Sequence, residues 1–241
     1  MTRKIILLVL LLGVSAVLTS NLLAATITGV IKYEGEAPKF KELKMDADPM
    51  CMAQHKDAVF PQTLALGEGN TMGNIIVSIK SGFPKKDYPL PQDAVVLDQK
   101  GCIYDPHVIG LRVGQTLKIL NPDGTLHNVH AISKVNSEFN LAMPQFRKET
   151  TKVFDKAEPT PFAVKCDVHP WMTGYIAVFD HPFFQVTRTD GKFTINDLPA
   201  GTYEIAVWHE KLGTKTMTVT VTADETKTVD FAYAAPAKAS N

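Results

Sequence analysis

The stretch "KCDVHPWMTGY", residues 165–175, carries three candidate donors at even three-residue steps: Cys166, His169 and Met172. Pro170 follows the histidine and Trp171 precedes the methionine. On either side lie short apolar runs, "PFAVKC" (161–166) and "GYIAVFD" (174–180). Both have strand composition, so the stretch reads as a tight loop between two strands. Taken singly, the three residues have ordinary readings: a buried cysteine, a turn-capping histidine, a methionine filling a core. Together, thiolate, imidazole and thioether suit a soft or borderline metal, copper above all.

The same texture extends over most of the chain. "TITGVIKY" (26–33) places Ile27, Gly29, Ile31 and Tyr33 on one face. "NIIVSIK" (74–80), "DAVVLDQ" (93–99), "LRVGQTLKILN" (111–121) and "LHNVHA" (126–131) follow, divided by Gly, Pro, Asn and Asp. After His181-Pro182 come "KFTI", "TYEIAVWH", "KTMTVTVT" and "TKTVDFAY". Strands at this density predict an all-β protein built of sandwiches or barrels. No long segment has a 3.6-residue period, and residues 42–55 have room for one short helix. The tail "AAPAKASN" (234–241) has no core-forming residue and is expected to be disordered.

Composition narrows the setting. The chain has 241 residues, 45% of them hydrophobic and 21% charged, enough for one large or two small domains. Its 25 basic and 25 acidic residues give no excess of positive charge, and nucleic acid is not an expected partner. Arg3 and Lys4, an apolar run from Ile5 to Leu18, and small residues at Ala24 and Ala25 follow the order of a secretory signal, residues 1–25. The apolar run is short of the ~20 residues that span a bilayer. The mature chain is therefore expected in the periplasm or secreted, with no transmembrane segment. An uncleaved N-terminal anchor is the alternative. Export implies an oxidising compartment, where three cysteines leave one over. One economical division pairs Cys51 with Cys102 and keeps Cys166 free, although the count alone fixes no pairing.

A trigonal copper site needs a second imidazole, and "NPDGTLHNVHA" (121–131) offers His127 and His130. With that segment the chain resembles the cupredoxins, the type 1 or blue copper proteins of the plastocyanin and amicyanin kind. "VGQTLKILNPDGTLHNV" is similar to their first-histidine segment, and "CDVHPWM" to their ligand loop in its short, amicyanin-like form. The resemblance covers roughly residues 85–180 and implies a Greek-key β-sandwich holding one type 1 copper ion. Its implied ligands are His127, Cys166, His169 and Met172, with Met172 the weak axial one. It also implies that Asn128 braces the ligand loop. The family usually has Thr or Ser after the cysteine, whereas this chain has Asp167. That carboxylate is expected to accept a bond from Asn128 and to lower the reduction potential. His130 competes with His127, but on a regular strand the two face opposite ways. Pro170 and Trp171 are expected to form an apolar docking patch around the edge of His169.

A second resemblance flanks the first. "TITGVIKYEGEAP", "DGKFTI" and "PAGTYEIAVWH" are similar to a carboxypeptidase regulatory-like, transthyretin-like β-sandwich. This implies a smaller, discontinuous sandwich, residues 26–84 and 181–233, with the cupredoxin-like unit inserted at 85–180. Units in a linear row are the alternative. "MDADPMCMAQH" (45–55) could load Cu(I), or Cys51 could simply be disulfide-bonded there. His107, His181 and His209 read as structural, with a second site from His130, His181 and His209 left open. The expected function is single-electron transfer to a redox partner, a dehydrogenase or a cytochrome by family analogy, rather than enzymatic catalysis. Copper delivery and a structural cell-envelope role are the alternatives.

Overall fold

The alternation in "TITGVIKY" becomes β1 (Ala25–Glu34), whose odd-numbered residues are buried while its even-numbered ones face outward. The computed structural model describes residues 24–235. The signal segment lies outside the described residues except for its last two, and Ala25 is already buried in β1, paired with Leu198. Strand structure therefore begins one residue inside the expected signal boundary. At the other end β16 runs through Ala234, and residues 236–241 of the expected tail lie outside the described residues. Among the described residues no helix is long and apolar enough to cross a membrane.

After β1 comes β2 (Ile76–Ser81), and eight strands follow before the chain returns to either of them. These are β3 (Val95–Asp98), β4 (Val108–Arg112), β5 (Thr116–Leu120), β6 (His127–Ala131), β7 (Phe139–Met143), β8 (Glu149–Val153), β9 (Glu158–Lys165) and β10 (Thr173–Phe179). They form one sheet in the order β4-β10-β9-β6-β7 and a second in the order β3-β5-β8. The chain then continues through β11 (Phe184–Val186), β12 (Lys192–Leu198), β13 (Gly201–His209), β14 (Gly213–Val221), β15 (Thr226–Thr228) and β16 (Phe231–Ala234). These complete a sheet β11-β2-β13-β14 and another, β12-β1-β15, with β16 also paired to β1.

Each pair of sheets encloses its own core. Ile27, Ile31, Ile79, Phe193 and Tyr203 belong to one, and Leu97, Ile119, Val129, Val164 and Ile176 to the other. The second core also contains Cys166 and Met172. At the junction, Phe179 and Phe184 stack with centroids 4.3 Å apart. Gly110 permits this contact, because a Cβ there would lie 2.9 Å from the Phe184 ring.

The structure departs from the sequence reading in three places. "LRVGQTLKILN" is two strands, β4 and β5, broken where Gly114 takes φ +81. Strands β7 and β8 have no counterpart among the strands expected from sequence; β8 ("ETTKV") has no apolar stripe to reveal it. Residues 42–59, expected within the outer sandwich, pack on the inner core instead. Met45 and Cys51 are buried there, with Leu43 and Val59 beside them. The short helix in this segment, α1 (Pro49–Met52), is capped by Asp48 and has Pro in its first turn.

Candidate metal centre

The centre forms where two loops meet at one end of the inner sandwich. His127 opens β6 and is reached through a turn that Asn121 folds. The Asn121 amide donates to Thr125 O (3.1 Å) and Met143 O (2.6 Å), while its Oδ1 accepts the Asp123 N–H (3.1 Å). The second loop leaves β9 at Cys166 and enters β10 after Met172. Two backbone bonds close it, Met172 N–H to His169 O (2.9 Å) and Cys166 N–H to Met172 O (3.2 Å).

These loops bring three of the expected ligands together. Donor atoms of His127, Cys166 and His169 all lie within 4.8 Å of one another, and all three residues are buried. The Nδ1 atoms of the two histidines are 3.0 Å apart, and Cys166 Sγ is 3.7 Å from His169 Nδ1. Met172 is also buried, in the same core cluster as Cys166.

Each imidazole turns its other nitrogen to a carboxylate. His127 Nε2 lies 2.9 Å from Asp123 Oδ2, and His169 Nε2 lies 2.9 Å from Asp48 Oδ2. An ionised carboxylate only accepts, so both Nε2 atoms carry protons. In the neutral rings both Nδ1 atoms are then bare lone pairs, facing each other in a buried space. Such a contact is repulsive unless a proton or a cation lies between the two atoms. Two imidazole lone pairs and a thiol converging on one point make a donor set that fits a borderline cation such as copper.

The local charges agree. Burial alone would push the Cys166 thiol up, but the adjacent His127 and the bonds from backbone N–H groups outweigh it and hold the thiol below its usual range. Burial likewise pulls His127 down, and its bond to Asp123 with the nearby Cys166 sulfur more than reverses this. Asp123 stays below the usual carboxylate range despite burial, because it accepts from His127 and from the backbone N–H groups of Cys102 and Gly101. The bond from His169 is the largest influence holding Asp48 down to about 2.

Asn128 joins the two loops. Its Oδ1 accepts the Asp167 N–H (2.7 Å), and its amide donates to Asp167 Oδ2 (3.1 Å) and Asn140 Oδ1 (2.7 Å). Asp167 is half-exposed and also receives the Asn140 amide at 2.6 Å. His130 points away from the centre, between Asp167 Oδ1 (3.2 Å) and Glu138 Oε1 (2.9 Å).

The apolar docking patch expected around the edge of His169 does not form. Pro170 is exposed and Trp171 half-buried, but His169 is only 2% exposed and offers no free edge. The segment around α1 covers it. Cys51 and Cys102 form a disulfide, leaving Cys166 as the free cysteine. Cys51 Sγ sits 3.6 Å from His169 Nε2, and the Trp171 indole N–H donates to Cys102 O (3.0 Å). The 45–55 cluster is not assembled as a Cu(I) site: Cys51 is bonded, Met45 is buried, Met50 and Met52 are exposed, and His55 Nε2 lies on Gly101 O. Nor do His130, His181 and His209 converge. The Nδ1 of His181 accepts the Phe183 N–H, and that of His209 accepts from Lys211 and Leu212.

Asp48 and Asp123 are the site residues that sequence reasoning missed. Asp123 stands four residues before His127 in "NPDGTLH", a spacing that could have marked it. Asp48 is far from every ligand in sequence, and only the helix-start pattern "DPM" hints that its side chain is fixed.

Comparison with known proteins bears on both units. Residues 181–234 match the family profile of the carboxypeptidase regulatory-like domain. Amicyanin from Paracoccus denitrificans is 28% identical over 128 residues, covering 53% of this chain and 92% of that protein. Among solved structures, an amicyanin variant in its Cu(I) form is 24% identical, covering 43% of this chain and 98% of that one, with a TM-score of 0.32. A copper-containing nitrite reductase from Thermus scotoductus is 21% identical, covering 41% of this chain and 25% of that one, with a TM-score of 0.33. The chain thus combines a cupredoxin-like sandwich with a carboxypeptidase regulatory-like one.

Proposed function

We propose that this chain is an exported type 1 copper protein that carries single electrons between redox partner proteins. The convergence of His127 Nδ1, His169 Nδ1 and Cys166 Sγ in a buried space carries this reading. Similarity to amicyanin supports it. Copper bound there would supply the one-electron Cu(II)/Cu(I) couple. His127 and His169 act as neutral imidazole donors, Cys166 as the thiolate and Met172 as the weak axial donor. Asp123 and Asp48 keep the two Nδ1 atoms turned inward. Asn128 ties the loop bearing Cys166 to the strand bearing His127. A frame so restrained suits electron transfer, because little has to rearrange when the charge on the metal changes. The burial of all four donors also keeps bulk water from the metal.

Adding Cu(II) to the purified protein should develop an intense blue or green thiolate-to-copper absorption. Cys166→Ala should abolish it. A colourless complex with an ordinary tetragonal Cu(II) resonance would overturn the assignment.

A further inference from the structure

Asp48 lies in the connection between β1 and β2, well before the two ligand-bearing loops, yet its side chain reaches the centre. Its Oδ2 lies 2.9 Å from His169 Nε2 and also accepts the Thr125 hydroxyl at 2.9 Å. Its Oδ1 accepts the Met50 N–H at 2.8 Å, so the carboxylate is fixed as the N-cap of α1. The next turn of chain is fastened by the Cys51–Cys102 disulfide, whose Cys51 sulfur touches the same imidazole. Thr125 belongs to the turn before His127. One carboxylate therefore contacts one ligand and the turn that delivers the other. Asp123 holds His127 in the same way, so both rings are oriented by carboxylates.

We propose that Asp48 is a positioning residue for the metal, acting through His169. It holds the ring with Nδ1 turned inward and strengthens that nitrogen as a donor. This rests on the copper reading above. A carboxylate that accepts from the far nitrogen of a metal-bound imidazole raises its basicity, and removing such a partner typically weakens metal binding about 10- to 100-fold. The added negative charge stabilises Cu(II) more than Cu(I), so Asp48 lowers the reduction potential. The segment that supplies it also replaces the exposed imidazole edge expected from sequence with a capped, charged one.

Asp48→Asn separates this role from helix capping, because Asn caps a helix about as well as Asp but carries no charge. Asp48→Ser is the second variant: it can still cap α1 but is too short to reach His169. Dissociation constants for Cu(II) and Cu(I) are measured by chelator competition, with the reduction potential, on wild-type and variant full-length chains whose folding is checked by circular dichroism. Both variants should bind Cu(II) at least about tenfold more weakly, with a smaller loss for Cu(I). A tenfold difference between the two losses raises the potential by about 59 mV. A wild-type protein with the thiolate-to-copper band and folded variants with unchanged affinities and potential would overturn this inference alone. A wild-type protein without that band would overturn the copper reading and this inference together.

Discussion

At Asp167 the chain departs from the cupredoxin pattern by a single side chain, and the structure gives that carboxylate a defined place. It accepts from Asn128 and Asn140 and lies beside His130. The bond from Asn140 is the largest influence holding it below the usual carboxylate range, followed by His130, so it is ionised at neutral pH. In the proposed copper centre, a fixed negative charge one residue from Cys166 would favour the more positive metal state. Asp167→Thr should therefore raise the reduction potential. The rise should be smaller than the ~59 mV equivalent to a tenfold change in relative affinity, because Asp167 is half-exposed and screened. Voltammetry at low and high salt checks this, and the difference between the two proteins should shrink as salt is added. At this scale the sequence was informative where neighbours are close in the chain. Cys166, His169 and Met172 lie within seven residues, and the turn before His127 is written in Asn121 and Asp123. Asp48 was not legible, because its role depends on a tertiary contact with no sequence spacing to mark it.

Among the elements, β6 and β9 must stay in register for the two loops to meet, and Glu158 is the fixture that secures them. This buried residue at the start of β9 accepts from the Ser133 hydroxyl, from the N–H groups of Lys134, Val135 and Asn136, and from the Asn136 amide. It thereby pins the segment after β6. Burial would raise its pKa, but these donors, Ser133 foremost, hold it below the usual range. A depressed carboxylate contributes stability above its unfolded pKa and loses it as pH falls through the folded value. Glu158→Gln should cost about 2 kcal/mol at neutral pH, the scale of hydrogen bonds to a charged group. The gap from wild type should narrow in acid below the ordinary range of a glutamate; urea unfolding at pH 7 and pH 3 measures it. The main strands were readable from alternation, as in β1, or from continuous apolar runs, as in β10. β8 was not, because a strand with one apolar residue leaves no period to detect. The place of the α1 segment is not legible, because its apolar residues, Met45 and Cys51, do not encode which of two cores they enter.

Across the whole molecule, two pairs of sheets share a junction of Phe179, Phe184, Trp208 and their neighbours. His181 lies where the chain passes from β10 to β11, with its ring against Phe83, Phe179 and Phe183. Burial pushes it down to about 4. The unfolded chain binds this proton more readily, so stability is full above the ordinary histidine pKa and falls between roughly pH 6.5 and pH 4. The melting temperature should drop across that window, and His181→Gln should flatten the drop; an identical slope in the variant would contradict the assignment. The disulfide acts at the same scale. It closes a separation of 51 residues, a constraint worth about 4 kcal/mol in the chain-entropy treatment, and holds the α1 segment over the centre. The all-β architecture and the two kinds of sandwich were legible in the sequence, because their turn and ligand motifs are local. How residues 42–59 cover His169 was not, since it follows from packing between distant parts of the chain. A Cu(II) titration of the purified protein followed by absorption decides whether His127, Cys166 and His169 hold a type 1 copper ion. An intense thiolate-to-copper band should appear, saturate at one copper per chain, bleach with one electron and return on reoxidation. Saturation without that band, or a band that survives Cys166→Ala, would contradict the type 1 site.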